Sequence, residues 1–409
     1  MANQTYDVIV FGATSFVGQI ICQYMVSTYG VNGDIQWAAA GRSQSKLESV
    51  KSSLGSTAAE LPLLVADAAD TSALKIMCEQ TKVVLSTVGP YALYGDPLVK
   101  ACVETGTDYV DLTGEVQWIY SMLGKYEAQA KSSGARIVHC CGFDSIPSDL
   151  GVHFVQQTAQ EKYGKPCKRV KLRVKAARGE FSGGTVASLI NVMKEATANP
   201  QLRKDLANPY LICSTGKPGT VTQPDVKSAQ YDKDFGVWLA PFVMAGINTR
   251  VVHRSNALTN ASYGTDFEYD EAMITGSGAK GWAAAQGMTV GMGGFLVAAA
   301  IKPTRWLLEK YVLPAPGEGP SPEAQEKGFY DIRFYGQTDD GQIVRAKVTG
   351  DRDPGYGSTA KMIAESAICL AKETSSEEKA GGFWTPATAF GDKLIERLVA
   401  NAGLTFELI

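Results

Sequence analysis

Tyr6-Asp7-Val8-Ile9-Val10-Phe11-Gly12-Ala13-Thr14-Ser15-Phe16-Val17-Gly18 reads as a strand, a glycine turn and the first turn of a helix. The apolar run Val8–Phe11 stops at Gly12. Beyond Gly18 the apolar residues Ile20, Ile21, Tyr24 and Met25 recur at helical spacing. Such a turn leaves backbone N–H groups and the positive end of a helix facing a phosphate. The pattern departs from G-x-G-x-x-G, with Thr14 at the second glycine position and Ser15 where extended variants carry glycine. The predicted phosphate-binding residues are Gly12, Thr14, Ser15, Phe16, Val17 and Gly18; a plain strand-to-helix turn is the alternative.

Five more apolar segments follow: Ile35–Ala40, Leu63–Ala66, Val83–Val88, Tyr109–Leu112 and Arg136–Cys140. Helical stretches near Ser45–Leu54, Thr71–Gln80, Pro97–Thr105 and Val116–Ser132 alternate with them. Continuously apolar strands alternating with helices predict a parallel sheet covered on both faces. Residues 1–141 are therefore expected to form an α/β, Rossmann-type, doubly wound dinucleotide-binding domain, with its ligand crevice at the carboxyl ends of the strands.

The strand ends supply the candidate site. The second ends in Ala39-Ala40-Gly41-Arg42, without the acid that would bond a ribose 2′-hydroxyl. Arg42 suits a 2′-phosphate, which favours NADP (NADPH) over NAD; a surface arginine after a turn is the alternative. Asp67 and Ala68 follow the third strand on the adenine side, where a turn or capping role for Asp67 is equally open. Thr87, Val88, Gly89 and Pro90 end the fourth, and Gly114 follows the fifth after Asp111. Cys141-Gly142-Phe143-Asp144-Ser145-Ile146-Pro147 closes the sixth. Tyr91, Asp144 and Ser145 are the candidate catalytic residues, as donors of a proton, with helix capping the alternative for Asp144 and Ser145. His139 and His153 are expected to be structural, and Cys141 a small buried hydrophobe.

The character changes after Gly142. Lys168–Ala177 alternates, with Val170, Leu172, Val174 and Ala176 on one side and Lys171, Arg173 and Lys175 on the other. That predicts a one-sided strand of an antiparallel sheet whose cations, with Lys168, face water. Ser182-Gly183-Gly184-Thr185 opens a helix to about Thr197, either capping it or holding a substrate oxygen. Phe329–Gln337 and Ile343–Val348 flank Asp339-Asp340-Gly341, a hairpin. Residues 142–350 are thus expected to be a second α+β domain built on an antiparallel sheet, the seat of substrate and of a homodimer contact. Residues 351–409, with helices Ser358–Ala371 and Phe390–Ala400, are expected to return to the first domain. Pro314–Pro322 is a Pro/Gly loop.

Residues 281–301 carry no charge, with Lys280 and Lys302 at the edges and Trp282, Arg305 and Trp306 beside them. Three readings stay open: a buried or substrate-lining segment, a peripheral membrane or lipid contact, and a span. The net charge of −3 gives no footprint for nucleic acid. The eight cysteines form no C-x-x-C and there are three histidines, so no metal site is expected and a cytoplasmic setting with reduced thiols is. None of the 17 tyrosines is followed by lysine at the fourth position, which excludes the usual short-chain dehydrogenase chemistry.

Several stretches together resemble the saccharopine dehydrogenase-like oxidoreductases, which include bacterial trans-acting enoyl reductases. They are Phe11–Gly18, Ala39–Glu48, Ser86–Cys102, Tyr109–Glu115, Cys141–Gly151, Ser182–Thr185, Leu313–Pro320, Asp353–Glu365 and Thr385–Leu398. The resemblance implies an NAD(P)-binding domain followed by a second α/β domain. Residues 236–301 are largely apolar rather than arginine-rich, which favours a lipid-like or acyl substrate, reduced at C=C or C=O, over a polycarboxylate. A saccharopine-type amino-acid C–N dehydrogenase and a lipid-associated nucleotide-binding protein without turnover are the alternatives.

Overall fold

The computed structural model describes residues 4–179, 183–213, 216, 218–311 and 319–409. Ser182 and most of the Pro314–Pro322 loop lie outside the described residues, as does the Thr185 side chain.

The first sheet is built from β1 (Tyr6–Phe11), β2 (Trp37–Gly41), β3 (Leu63–Val65), β4 (Thr81–Ser86), β5 (Asp108–Asp111) and β6 (Arg136–Val138). The second holds β7 (Arg169–Arg178), β8 (Gln230–Asp232), β9 (Val237–Pro241), β10 (Glu268–Gly276), β11 (Phe329–Gln337) and β12 (Ile343–Gly350). Near the end of the chain, β13 (Gly382–Trp384) and β14 (Leu404–Leu408) add one strand to each sheet.

The first sheet runs β13-β6-β5-β4-β1-β2-β3, every pairing parallel. The order reverses between β1 and β4, where a doubly wound sheet opens its ligand crevice. The sixth strand stops at Val138, two residues earlier than the apolar run suggests. Cys140 there takes a left-handed φ of 63° so that its N–H can reach Asp111. The seventh strand, β13, is too short to have been legible.

The second sheet runs β14-β12-β11-β7-β10-β9-β8. It is mixed rather than wholly antiparallel, because β10 lies parallel to β7. The cations of β7 also depart from expectation. Lys171 and Arg173 are buried at 6% and 1% exposure. Residues 230–234 fold over that face, and Asp232 meets Lys171 Nζ at 3.1 Å and Arg173 Nε at 2.9 Å. Asp270 of β10 meets Arg173 at 2.7 Å. The alternation marked two packed faces, one apolar and one ionic. Lys168 and Lys175 keep to the surface as expected, paired with Asp266 and Asp331.

Helix Ile146–Tyr163 joins the layers and lies on the apolar face of the second sheet. It passes so close that a Cβ at Gly151 would sit 2.2 Å from the Phe334 ring. Helix Gly357–Lys372 covers β1, β4 and β5 and packs on helix Phe16–Tyr29. One continuous apolar core therefore runs from Val8 and Val83 through Ile363 and Leu150 to Leu172 and Phe334. The last helical stretch is two helices, Pro386–Phe390 and Asp392–Asn401, divided at Gly391 with φ 55°.

The apolar stretch forms helix Gly278–Ala300, and it is not buried. Only Gly281, Ala285 and Ala299 are covered, while Val290 is 72% and Val297 59% exposed. The helix rests on β9, β10 and helix Gly183–Ala198.

Candidate functional site

Gly12 turns with φ +91°, and a Cβ there would lie 2.4 Å from Thr87 Oγ1. The close approach lets Thr87 Oγ1 donate to the Gly12 carbonyl at 3.0 Å and pins the loop to the end of β4. Gly18 is as crowded: a Cβ would meet the Gly12 carbonyl oxygen at 2.2 Å. Ser15 caps the helix, its Oγ accepting from Gly18 N–H at 3.0 Å and bonding Thr87 Oγ1 at 3.0 Å. The residue that stands for a glycine is thus engaged with the helix and β4. Among the described residues, the N–H groups of Thr14, Phe16 and Val17 donate to no acceptor. Three free donors at a helix start make an anion cradle.

Arg42 follows β2, is exposed, and has no carboxylate within ion-pair distance among the described residues. Asp67 is exposed and folds into a turn, its Oδ1 accepting from Ala69 N–H at 2.9 Å; Ala68 beside it is half-buried. Val88 and Pro90 are half-buried and Gly89 exposed at the end of β4, joined by a cis Gly89–Pro90 bond.

The three candidate proton donors differ. The Tyr91 hydroxyl is buried and fully used: it donates to Ser86 O at 3.0 Å and accepts from Leu112 N–H at 3.1 Å. Burial, then the charge of Asp111, pushes its pKa well up. Ser145 is completely buried and donates to Asn248 Oδ1 at 3.0 Å. Asn248 in turn donates to Glu271 at 2.9 Å, and Tyr269 donates to the other Glu271 oxygen at 2.6 Å. Ser145 is thus a tie between the layers. Asp144 is half-buried, and its carboxylate has no side-chain hydrogen-bond partner among the described residues. It stands beside Gly114, whose Cβ would fall 3.5 Å from Asp144 Oδ1. Burial, then the charge of Asp111, pushes its pKa up to about 7.

Residues not singled out as site candidates hold this rim together. Asp111, fully buried, accepts from Thr113 N–H and Cys140 N–H at 3.1 Å each and pairs with His139 Nδ1 at 2.7 Å. That explains the structural role of His139; His153 Nε2 bonds Asp392 at 3.1 Å. Glu115, also fully buried, accepts from Tyr91 N–H at 2.7 Å, Ala92 N–H at 3.0 Å and the Ser188 hydroxyl at 2.8 Å. Burial outweighs these donors and holds its carboxyl above the ordinary range. Their only signal in the sequence is their place in Tyr109–Glu115; Ser188 and Asn248 have none.

Three arginines of the second region, Arg173, Arg250 and Arg254, are committed to structure. Arg173 belongs to the ionic face, and Arg254 donates to Phe383 O at 2.8 Å and pairs with Glu127 at 3.3 Å. Arg250 donates to Leu206 O at 2.6 Å.

Residues 8–138 match the saccharopine dehydrogenase NADP-binding domain family. A protein of Mycobacterium tuberculosis named as a candidate trans-acting enoyl reductase is 40% identical over 414 residues, covering 98% of this chain and 97% of its own. The trans-acting enoyl reductases of Mycobacterium tuberculosis and Mycobacterium ulcerans are each 36% identical, over 97% of this chain and 96% of theirs. Among solved structures, apo saccharopine dehydrogenase (L-Glu forming) of Saccharomyces cerevisiae superposes with TM-score 0.53 over 99% of this chain and 100% of that one. At 14% identity this speaks for the fold alone. With this parallel sheet, this anion cradle and near full-length similarity, the chain belongs to the saccharopine dehydrogenase-like family that holds the trans-acting enoyl reductases, and it is an NADP-binding oxidoreductase.

Proposed function

We propose that this oxidoreductase reduces the C=C of an apolar α,β-unsaturated acyl group, with Asp144 delivering the proton. The observation that carries this reading is an unpaired, half-buried carboxyl at the crevice rim whose pKa is pushed up to about 7. An acid of that strength is half protonated at neutral pH, which suits a general acid. The free N–H groups of Thr14, Phe16 and Val17 would hold the pyrophosphate, and Arg42 the 2′-phosphate. Thr87–Pro90 and Gly114 would line the other half of the cofactor. NADPH, when bound, would supply a hydride to the β-carbon. Asp144 then gives its proton to the carbon next to the carbonyl and is left as a carboxylate, which bulk water reprotonates. Tyr91 and Ser145 fix the rim, and neither hydroxyl donates to substrate.

The name of the relatives supports an enoyl substrate, and the commitment of Arg173, Arg250 and Arg254 to structural contacts speaks against a polycarboxylate. The test is NADPH oxidation by the full chain with a trans-2-decenoyl thioester, set against saccharopine with NADP and against NADH. Turnover of the thioester with NADPH supports the proposal. Turnover of saccharopine alone would replace it with a C–N dehydrogenase.

The exposed helix Gly278–Ala300 favours delivery of that substrate from a lipid surface. Trp282 and Trp306 are exposed at 47% and 54%, and Lys280, Lys302 and Arg305 stand at the two ends of the uncharged stretch. Flotation with vesicles containing a third anionic lipid tests this. The chain should float, and Val290→Asp with Val297→Asp should abolish flotation; a wild type that stays at the bottom removes the lipid surface from the proposal.

A further inference from the structure

Helix Gly183–Ala198 lies across the rim of the crevice and is tied down on both sides of it. At its start, Gly183 N–H donates to the Tyr356 hydroxyl at 2.8 Å. The Tyr356 ring packs edge-on against Phe16 of the anion cradle, 4.8 Å between centroids. Further along, Ser188 donates to Glu115 at 2.8 Å, and Glu195 accepts from Gln117 at 3.3 Å. One helix thus reaches from the loop after β1 to the loop after β5. Its outer side packs against the exposed apolar helix Gly278–Ala300.

Glu115 is where this helix meets the rim. Its carboxylate holds the backbone N–H groups of Tyr91 and Ala92, which begin the short helix Tyr91–Tyr94 after Pro90. Those two donors are local to the rim; the Ser188 hydroxyl is the contact that arrives from the second region. Ser188 and Tyr91 N–H share one carboxylate oxygen, Oε1. Withdrawing the hydroxyl changes the charge and position of the oxygen that fixes the Tyr91 backbone.

We infer that Glu115 is a positioning residue, which through Ser188 makes the geometry of the Tyr91–Ala92 backbone, in the half of the crevice opposite Arg42, depend on whether helix Gly183–Ala198 is seated. The inference builds on cofactor binding in this crevice and on no particular substrate. It gives the apolar helix a route to the reaction: whatever covers Gly278–Ala300 presses on the helix that Glu115 reads.

The experiment compares wild type, Ser188→Ala, Ser188→Thr and Glu115→Gln as full chains. Amide exchange is followed at Tyr91 and Ala92, with the emission maximum of bound NADPH as a second signal. Ser188→Ala should keep the wild-type melting temperature while exchange at Tyr91 and Ala92 rises about tenfold and the NADPH emission shifts. Ser188→Thr, which keeps the hydroxyl, should restore both. Glu115→Gln should exceed Ser188→Ala; if it fails to fold, Ser188→Ala decides. Exchange in Ser188→Ala within about twofold of wild type, with unmoved emission, overturns the inference. Lack of turnover with the thioester would sink the substrate reading and leave these two signals to judge this one.

Discussion

Replacing Asp232 by Asn tests the ionic face of the second sheet. The side chain keeps its size and one acceptor oxygen but loses its charge. In the wild type, burial pushes the Asp232 carboxyl up, yet Arg173 and Lys171 outweigh it and hold it below the ordinary range. Lys171 and Arg173 are paired there with Asp232, Asp234 and Asp270, and Arg169 at the edge reaches Glu268 and Asp270 at 3.8 Å each. Asp232→Asn removes the carboxylate that Lys171 and Arg173 share, in a place where both are almost wholly buried. Breaking a buried pair by removing one partner costs about 3–5 kcal/mol. Arg173 keeps Asp270 at 2.7 Å, so the lower end applies, about 3 kcal/mol. With a urea slope of about 3 kcal/mol/M the midpoint falls by about 1 M at pH 7. The stabilisation is complete above the unfolded pKa, near 4, and is lost as pH falls through the lowered folded value, so wild type and variant should converge in acid. Equilibrium urea unfolding followed by tryptophan emission measures this. Arg173→Met should cost at least as much, because it takes the 2.9 Å partner from Asp232 and the 2.7 Å partner from the buried Asp270. A midpoint within about 0.2 M of wild type would refute the reasoning and reduce the cluster to the worth of surface pairs.

Arg42→Ala should weaken NADPH by about 10–100-fold, the worth of charge-assisted bonds to a phosphate, and leave NADH unchanged; equal wild-type affinity for both cofactors would contradict the assignment. Asp144→Asn should lower turnover by about 10²–10⁴-fold and abolish the fall in rate that wild type shows as pH rises through about 7, where the acid form is lost; an unchanged pH profile removes Asp144 as donor. Asp149 accepts from Ser255 at 2.5 Å and Ala387 N–H at 2.7 Å, and burial outweighs these donors and pushes its carboxyl up to about 7. The native state therefore holds a proton the unfolded chain releases near pH 4, and stability falls with rising pH across that window. Asp149→Asn should abolish about 2–3 kcal/mol of the loss between pH 5 and 8, read from urea unfolding at the two pH values.

Much of the first sheet was legible because its signals are local. A buried parallel strand is a continuous apolar run, and Gly12 and Gly18 must be glycine where backbone and Thr87 crowd them. Arg42 without a neighbouring acid pointed to the phosphorylated cofactor by charge alone. The same local reading misjudged β7. Lys171 and Arg173 alternate with Val170, Leu172 and Val174 as a half-solvated strand would, and nothing within ten residues shows that Asp232 and Asp270 arrive to neutralise them.

The sequence by itself determined the α/β class, the anion cradle after the first strand and the choice of cofactor, since each depends on residues adjacent in the chain. Tertiary structure alone decided which of Tyr91, Asp144 and Ser145 keeps a free polar group. That depends on donors and acceptors brought from Ser86, Leu112 and Asn248, and on the field of Asp111. It also left the helix Gly278–Ala300 uncovered, because burial is a property of what packs against a segment and hydropathy only of the segment itself.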